Sequence, residues 1–118
     1  MKINVYKDFK EAVDSFTKPD KKYQFERHVL KAGEAIELHK HEKANEWIVI
    51  DGGEFTANLN GNEAHAKISG EVVVLKFPKG KEHSFKPISA VSYHVYRDRK
   101  DRIVYVKEKK GGTRPKTP

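Results

Sequence analysis

Residues 38–47 read LHKHEKANEW, and the fold turns on what this stretch is doing. His39 and His41 stand two apart. On an extended strand, residues i and i+2 share a face, so both imidazoles point the same way. Glu46 has the opposite parity and cannot share that face on one straight strand. The intervening EKAN is turn-like, which lets Glu46 open another strand and bring its carboxylate back to the same place. On its own, His-x-His is more often a pair of ordinary exposed histidines.

The surrounding chain reads as a succession of short strands. From Tyr23 onward the segments YQFERHVL, AIELH, EWIVID, EFTANL, EAHAKI, EVVVLKF, HSFKP, AVSYHVYR and RIVYVKE alternate or are β-branched, with turn residues between them. Asn60-Gly61 is a two-residue hairpin signal, because both turn positions need positive φ. About nine short strands at close spacing predict an antiparallel, all-β sandwich or barrel. No strand–helix alternation supports a parallel sheet. Before the strands, Val5, Phe9, Val13 and Phe16 recur at helical spacing and predict one amphipathic helix over residues 5–16, stopped near Pro19. The expected organisation is a helix and linker over 1–20, a β domain over 21–108 and a basic tail over 109–118.

The 118 residues suit a single domain. Cysteine is absent, which excludes disulfides, thiolate ligands and cysteine nucleophiles. No segment approaches the ~18 apolar residues of a membrane span. The N-terminus has no apolar signal core, so the expectation is a cytoplasmic protein. The formal charge is +7, and residues 97–118 hold nine Lys/Arg against three Asp/Glu. The basic character thus belongs to the C-terminal end. Within it the stretch 109–118, KKGGTRPKTP, has no aromatic residue on which a base could stack, so a disordered, solubilising tail is expected rather than a nucleic-acid arm.

His83 follows the turn FPKGKE and begins another predicted strand. Three imidazoles and one carboxylate could then meet inside a barrel. Such a set suits one divalent transition metal, whether iron, manganese, nickel, copper or zinc.

The wider spacing is more specific than the histidine pair. Gly33 is followed by five residues, His39-x-His41, four residues, Glu46, five residues and Gly52, with Gly53 next; Pro78-x-Gly80-x-x-His83 comes later. This pattern resembles the two motifs of the cupin superfamily over about residues 23–107. The resemblance implies a small antiparallel jelly-roll β-barrel with a central metal. By matching position its ligands are His39, His41, Glu46 and His83. Two features depart from the family pattern. Seven residues rather than five separate Gly70 from Pro78, which keeps strand parity. Pro87 stands where an asparagine is frequent, which threatens to shorten its strand.

Other residues are candidates for the cavity wall. Phe85 shares the face of His83, and Ile48 and Ile50 share that of Glu46. Tyr93 groups with Val91 and Val95, so its hydroxyl can orient a substrate or satisfy a backbone group. Arg27 has a fork suited to a carboxylate or phosphate, although a surface ion pair is the commoner role. Glu37 has the parity of His39 and is a candidate partner for an imidazole. His28 and His65 lack ligand-like spacing and are expected on the surface. The functional expectation is a metal-dependent isomerase, decarboxylase or dioxygenase acting on a small polar or anionic molecule. The alternative is a non-catalytic cupin module that binds a small ligand or metal. The resemblance also implies a homodimer, with weak support from apolar faces on the N-terminal helix.

Overall fold

The computed structural model describes residues 3–16 and 27–106. The predicted tail over 109–118, the linker with Pro19 and the first half of the YQFERHVL strand lie outside these residues. Nine strands and one helix are present among the described residues.

The N-terminal segment departs from the single helix expected over 5–16. Asn4–Tyr6 form a strand, β1, and only Phe9–Asp14 form the helix α1. Asp8 explains the boundary. Its backbone is extended and its side chain accepts from the Glu11 N–H, a normal N-cap that starts the helix after it. Val5 is thereby left in β1 and pairs with Val73 of β6 (Val72–Phe77). The helix lays Ala12 and Val13 on the outer face of the sheet, against Val49, Val72, Val74 and Tyr96. Ala12, Val13 and Phe16 are therefore used within the chain, while Val5 and Phe9 stay exposed.

The remaining strands are β2 (His28–Leu30), β3 (Ile36–Lys40), β4 (Glu46–Leu59), β5 (Asn62–Ile68), β7 (His83–Pro87), β8 (Val91–Arg97) and β9 (Val104–Tyr105). Two predicted strands, EWIVID and EFTANL, are one continuous β4. Its first half pairs with β6 and β8, and its second half with β5 and β7. β4 changes sheets at Gly52-Gly53. There the β8 register shifts, and Gly53 takes φ +100° with space so tight that a Cβ would meet the Ala90 carbonyl oxygen at 2.3 Å. Only glycine supplies that turn.

β4 thus joins two antiparallel sheets, one ordered β1-β6-β4-β8-β2 and the other running from β4 through β7 and β3 to β9. Their inner faces pack as one core in which Ile48, Ile50, Leu75 and Phe77 from the first sheet meet Phe55 and Phe85 from the second. Both faces of the first half of β4 are covered, one by this core and the other by α1. Hence its burial runs nearly unbroken instead of alternating. The two sheets form an open jelly roll, not a closed ring. Asn60 and Gly61 both have positive φ and make the predicted β4–β5 hairpin. β7 runs through Pro87, so the proline does not cut the strand short.

Candidate metal centre

The four predicted ligand residues come together. His39, His41, Glu46 and His83 each offer an atom to a cluster in which all four atoms lie within 4.8 Å of one another, and all four residues are buried. Each arrives by a different local route. His39 lies on β3, and His41 follows one residue beyond the strand end. Glu46 opens β4 from the facing sheet, as the turn reading of EKAN allows. His83 opens β7 and is the register partner of His39. The Phe77 ring lies flat on that of His83, with centroids 4.2 Å apart and planes 5° apart.

The hydrogen bonds select one tautomer for all three rings. Nδ1 of His39 faces the Glu37 carbonyl at 2.7 Å, Nδ1 of His83 faces that of Lys81 at 3.1 Å, and Nδ1 of His41 faces that of Arg102 at 3.2 Å. A carbonyl only accepts, so each Nδ1 must carry its proton and each neutral ring presents a bare Nε2. The candidate partner of His39 is thus the backbone of Glu37, not its carboxylate.

The Nε2 atoms of His41 and His83 are buried without a hydrogen-bond partner. They lie 3.2 and 3.6 Å from the carboxylate oxygens of Glu46. Lone pairs and a carboxylate facing one another at such distances repel, and a cation between them removes the repulsion. The residues present therefore fit a divalent metal, with nitrogen and oxygen donors and each Nδ1 anchored from behind.

Electrostatics keep His39 and Glu46 in their ligating forms. Burial lowers the pKa of His39 to about 4, so its ring is neutral at neutral pH. Burial alone would raise that of Glu46. The charge and hydrogen bond of the Arg97 guanidinium act against burial, lower that pKa and favour the ionised carboxylate. Arg97 is a residue that strand patterning missed. It ends β8, and its Nε donates to Glu46 Oε2 at 2.7 Å.

A cavity of about 360 Å³ opens over the cluster and is lined by His39, Glu46 and His83. Ile48, Phe85 and Val95 make apolar wall, and Tyr93 and Arg97 are polar groups in it. Burial, and secondarily the charges of Glu46 and Glu34, raise the pKa of Tyr93, so its hydroxyl stays protonated. His28 also lines the cavity, because β2 pairs with β8 and sets it opposite Tyr93. Its ring is 5.9 Å from that of Tyr93. Arg27 does not line the cavity. It is exposed, and its Nε donates to Ser92 Oγ at 2.5 Å. His65 is a surface residue paired with Glu54 at 2.7 Å.

No protein-family model matches this sequence, and no curated protein matches it. Solved structures do resemble it. A predicted oxalate decarboxylase from Thermotoga maritima superposes with a TM-score of 0.54 at 22% identity, over 88% of this chain and 81% of that one. The cupin domain of Cnp3 from Schizosaccharomyces pombe gives 0.53 at 21% identity, over 70% and 59% of the two chains. The capsular polysaccharide assembling protein CapF from Staphylococcus aureus gives 0.57 at 15% identity over 70% of this chain. This chain spans about a quarter (26%) of CapF. With two sheets joined through β4 and the histidine–glutamate cluster between them, the chain has the cupin fold.

Proposed function

We propose that this chain is a metal-dependent enzyme acting on a small polar or anionic molecule, by isomerisation, decarboxylation or dioxygenation. One observation carries the proposal. Three bare imidazole nitrogens and a carboxylate converge beneath a cavity large enough for a small molecule. His39, His41, Glu46 and His83 would hold the ion. When bound, a divalent cation supplies Lewis acidity toward substrate oxygens, or redox chemistry if it is iron, manganese or copper.

The chain's own groups define the rest. Ile48, Phe85 and Val95 exclude water from one wall and strengthen polar contacts made inside it. Tyr93 presents a protonated hydroxyl as a hydrogen-bond donor. Arg97 adds positive charge beside Glu46, which favours an anionic group in the cavity. The likeness to a predicted oxalate decarboxylase is compatible with a small acid as substrate. A homodimer is proposed from the family resemblance alone, and a monomer mass by light scattering removes it.

The test loads the metal-free chain with iron(II), manganese(II), nickel(II), copper(II) or zinc(II) in turn. Each form is offered hydroxy acids, keto acids and sugar phosphates. Turnover by a loaded wild type, lost in the His39→Ala/His41→Ala variant, supports an enzyme. Tight retention of a small molecule without turnover under any metal replaces the enzyme with a binding module.

A further inference from the structure

The three imidazoles are not anchored alike. His39 and His83 are each held by the carbonyl two residues earlier on their own segment, Glu37 and Lys81. His41 is held by the carbonyl of Arg102, 61 residues away. Its direction therefore depends on the segment 98–106, which leaves β8 and returns along β3.

That segment is fastened to the ligand loop at several points. Asp98 accepts from the Asn45 backbone N–H at 2.9 Å and from Asn45 Nδ2 at 2.8 Å, and its own N–H returns to the Asn45 carbonyl. Further on, Val106 N–H donates to the Leu38 carbonyl, and β9 pairs with β3. The fastening nearest His41 is Asp101. Its Oδ2 accepts the N–H groups of Lys43 and Ala44 at 2.6 and 2.9 Å, and its Oδ1 accepts that of Arg102 at 2.8 Å. One carboxylate thus grips the two residues just beyond Glu42 and, at the same time, the N–H of Arg102, the residue whose carbonyl faces His41 Nδ1.

We propose that Asp101 is a positioning residue of the metal centre, setting the tautomer and direction of His41 by clamping residues 43–44 to the backbone N–H of Arg102, the residue whose carbonyl faces His41. The proposal rests on the metal-centre reading for its consequence, which is tighter metal binding. Its structural core, the state of His41, stands without any metal. A shortened or neutral side chain at 101 loosens the Arg102 carbonyl and frees His41 to turn or to move its proton to Nε2, where a ligand lone pair is needed. His39 and His83 keep their local anchors.

The test uses the full chain and the variants Asp101→Ala and Asp101→Asn. In the metal-free proteins, long-range ¹⁵N–¹H NMR reads the tautomer of each histidine. The expected result is loss of the pure Nδ1–H form at His41 in Asp101→Ala, a smaller change in Asp101→Asn, and unchanged His39 and His83. Cobalt(II) titration against a competing chelator should then show affinity weakened roughly tenfold to a hundredfold in Asp101→Ala, with partial recovery in Asp101→Asn. A His41 signal like wild type in both variants overturns the proposal. So does a change shared by all three histidines, which means general loosening. Should Asp101→Ala fail to fold, Asp101→Asn carries the same comparison. If wild type takes up no cobalt, the metal reading falls, and the tautomer comparison alone decides the role of Asp101.

Discussion

Arg97 and Glu46 are register partners on β8 and β4, and the Arg97 Nε donates to Glu46 Oε2 at 2.7 Å. The pair places a cation beside the one carboxylate of the cluster. Glu46 is almost wholly buried, whereas the Arg97 side chain keeps 20% exposure at the cavity wall.

Removing the guanidinium leaves a buried charge without a partner. Arg97→Met should destabilise the metal-free chain by about 3 kcal/mol, the low end for a broken buried pair because Arg97 is partly in water. Zinc should restore part of the loss, since the ion supplies the missing positive charge. Urea melts of both proteins, with and without zinc, check this. Equal midpoints without metal contradict the pairing.

Metal content should follow the cluster. Elemental analysis of the wild-type chain, purified without added metal, should find a divalent transition metal that is missing from His39→Ala/His41→Ala. Equal content in the two proteins rejects the site. Arg27→Ala should keep the wild-type content, because Arg27 bonds Ser92 outside the cavity.

Acid should destabilise the metal-free fold. The folded pKa of His39 is lowered to about 4, so between about pH 6.5 and pH 4 the unfolded chain binds a proton that the folded chain refuses. Stability from this group is complete above the unfolded value and falls with pH through that window, by up to about 3 kcal/mol. Glu46, depressed by its neighbours, adds a loss in the same direction once pH drops below the ordinary carboxylate range. Denaturant melts across this range should show a shallower pH slope in His39→Gln than in wild type. Identical slopes refute the assignment to His39.

Two adjacent glycines should respond oppositely to alanine. Gly53→Ala forces a Cβ against the Ala90 carbonyl at 2.3 Å with φ at +100°, and should cost at least about 2 kcal/mol. A Cβ at Gly52 meets nothing within 4 Å, so Gly52→Ala should stay within about 0.5 kcal/mol of wild type. Thermal melts of both variants read the difference. Similar losses would place the crossing point of β4 elsewhere.

Much of the β region was legible from alternation and turn chemistry, because a half-buried strand writes its two faces into successive residues. Asn60-Gly61 identified its hairpin for the same local reason. The N-terminal helix was overextended because Val5 satisfies helical spacing and strand pairing equally, and only the open edge of β6 chooses between them. β4 was divided in two because Gly52-Gly53 reads locally as a turn. In the fold the chain passes straight from one sheet to the other there, and the tight contact with Ala90 explains the glycine.

The candidate site divides in the same way. Donor types and their spacing are local properties of the chain, so His39, His41, Glu46 and His83 could be found by reading it. Arg97, the Arg102 carbonyl and the Asp101 clamp could not. A backbone carbonyl has no identity in a sequence, and a contact across 61 residues has no period. By itself the sequence determined which side chains could bind a metal and on which strand faces they lie. Only the tertiary structure decided their protonation, their anchoring and the cation beside them, because those depend on groups that meet when the two sheets close on each other.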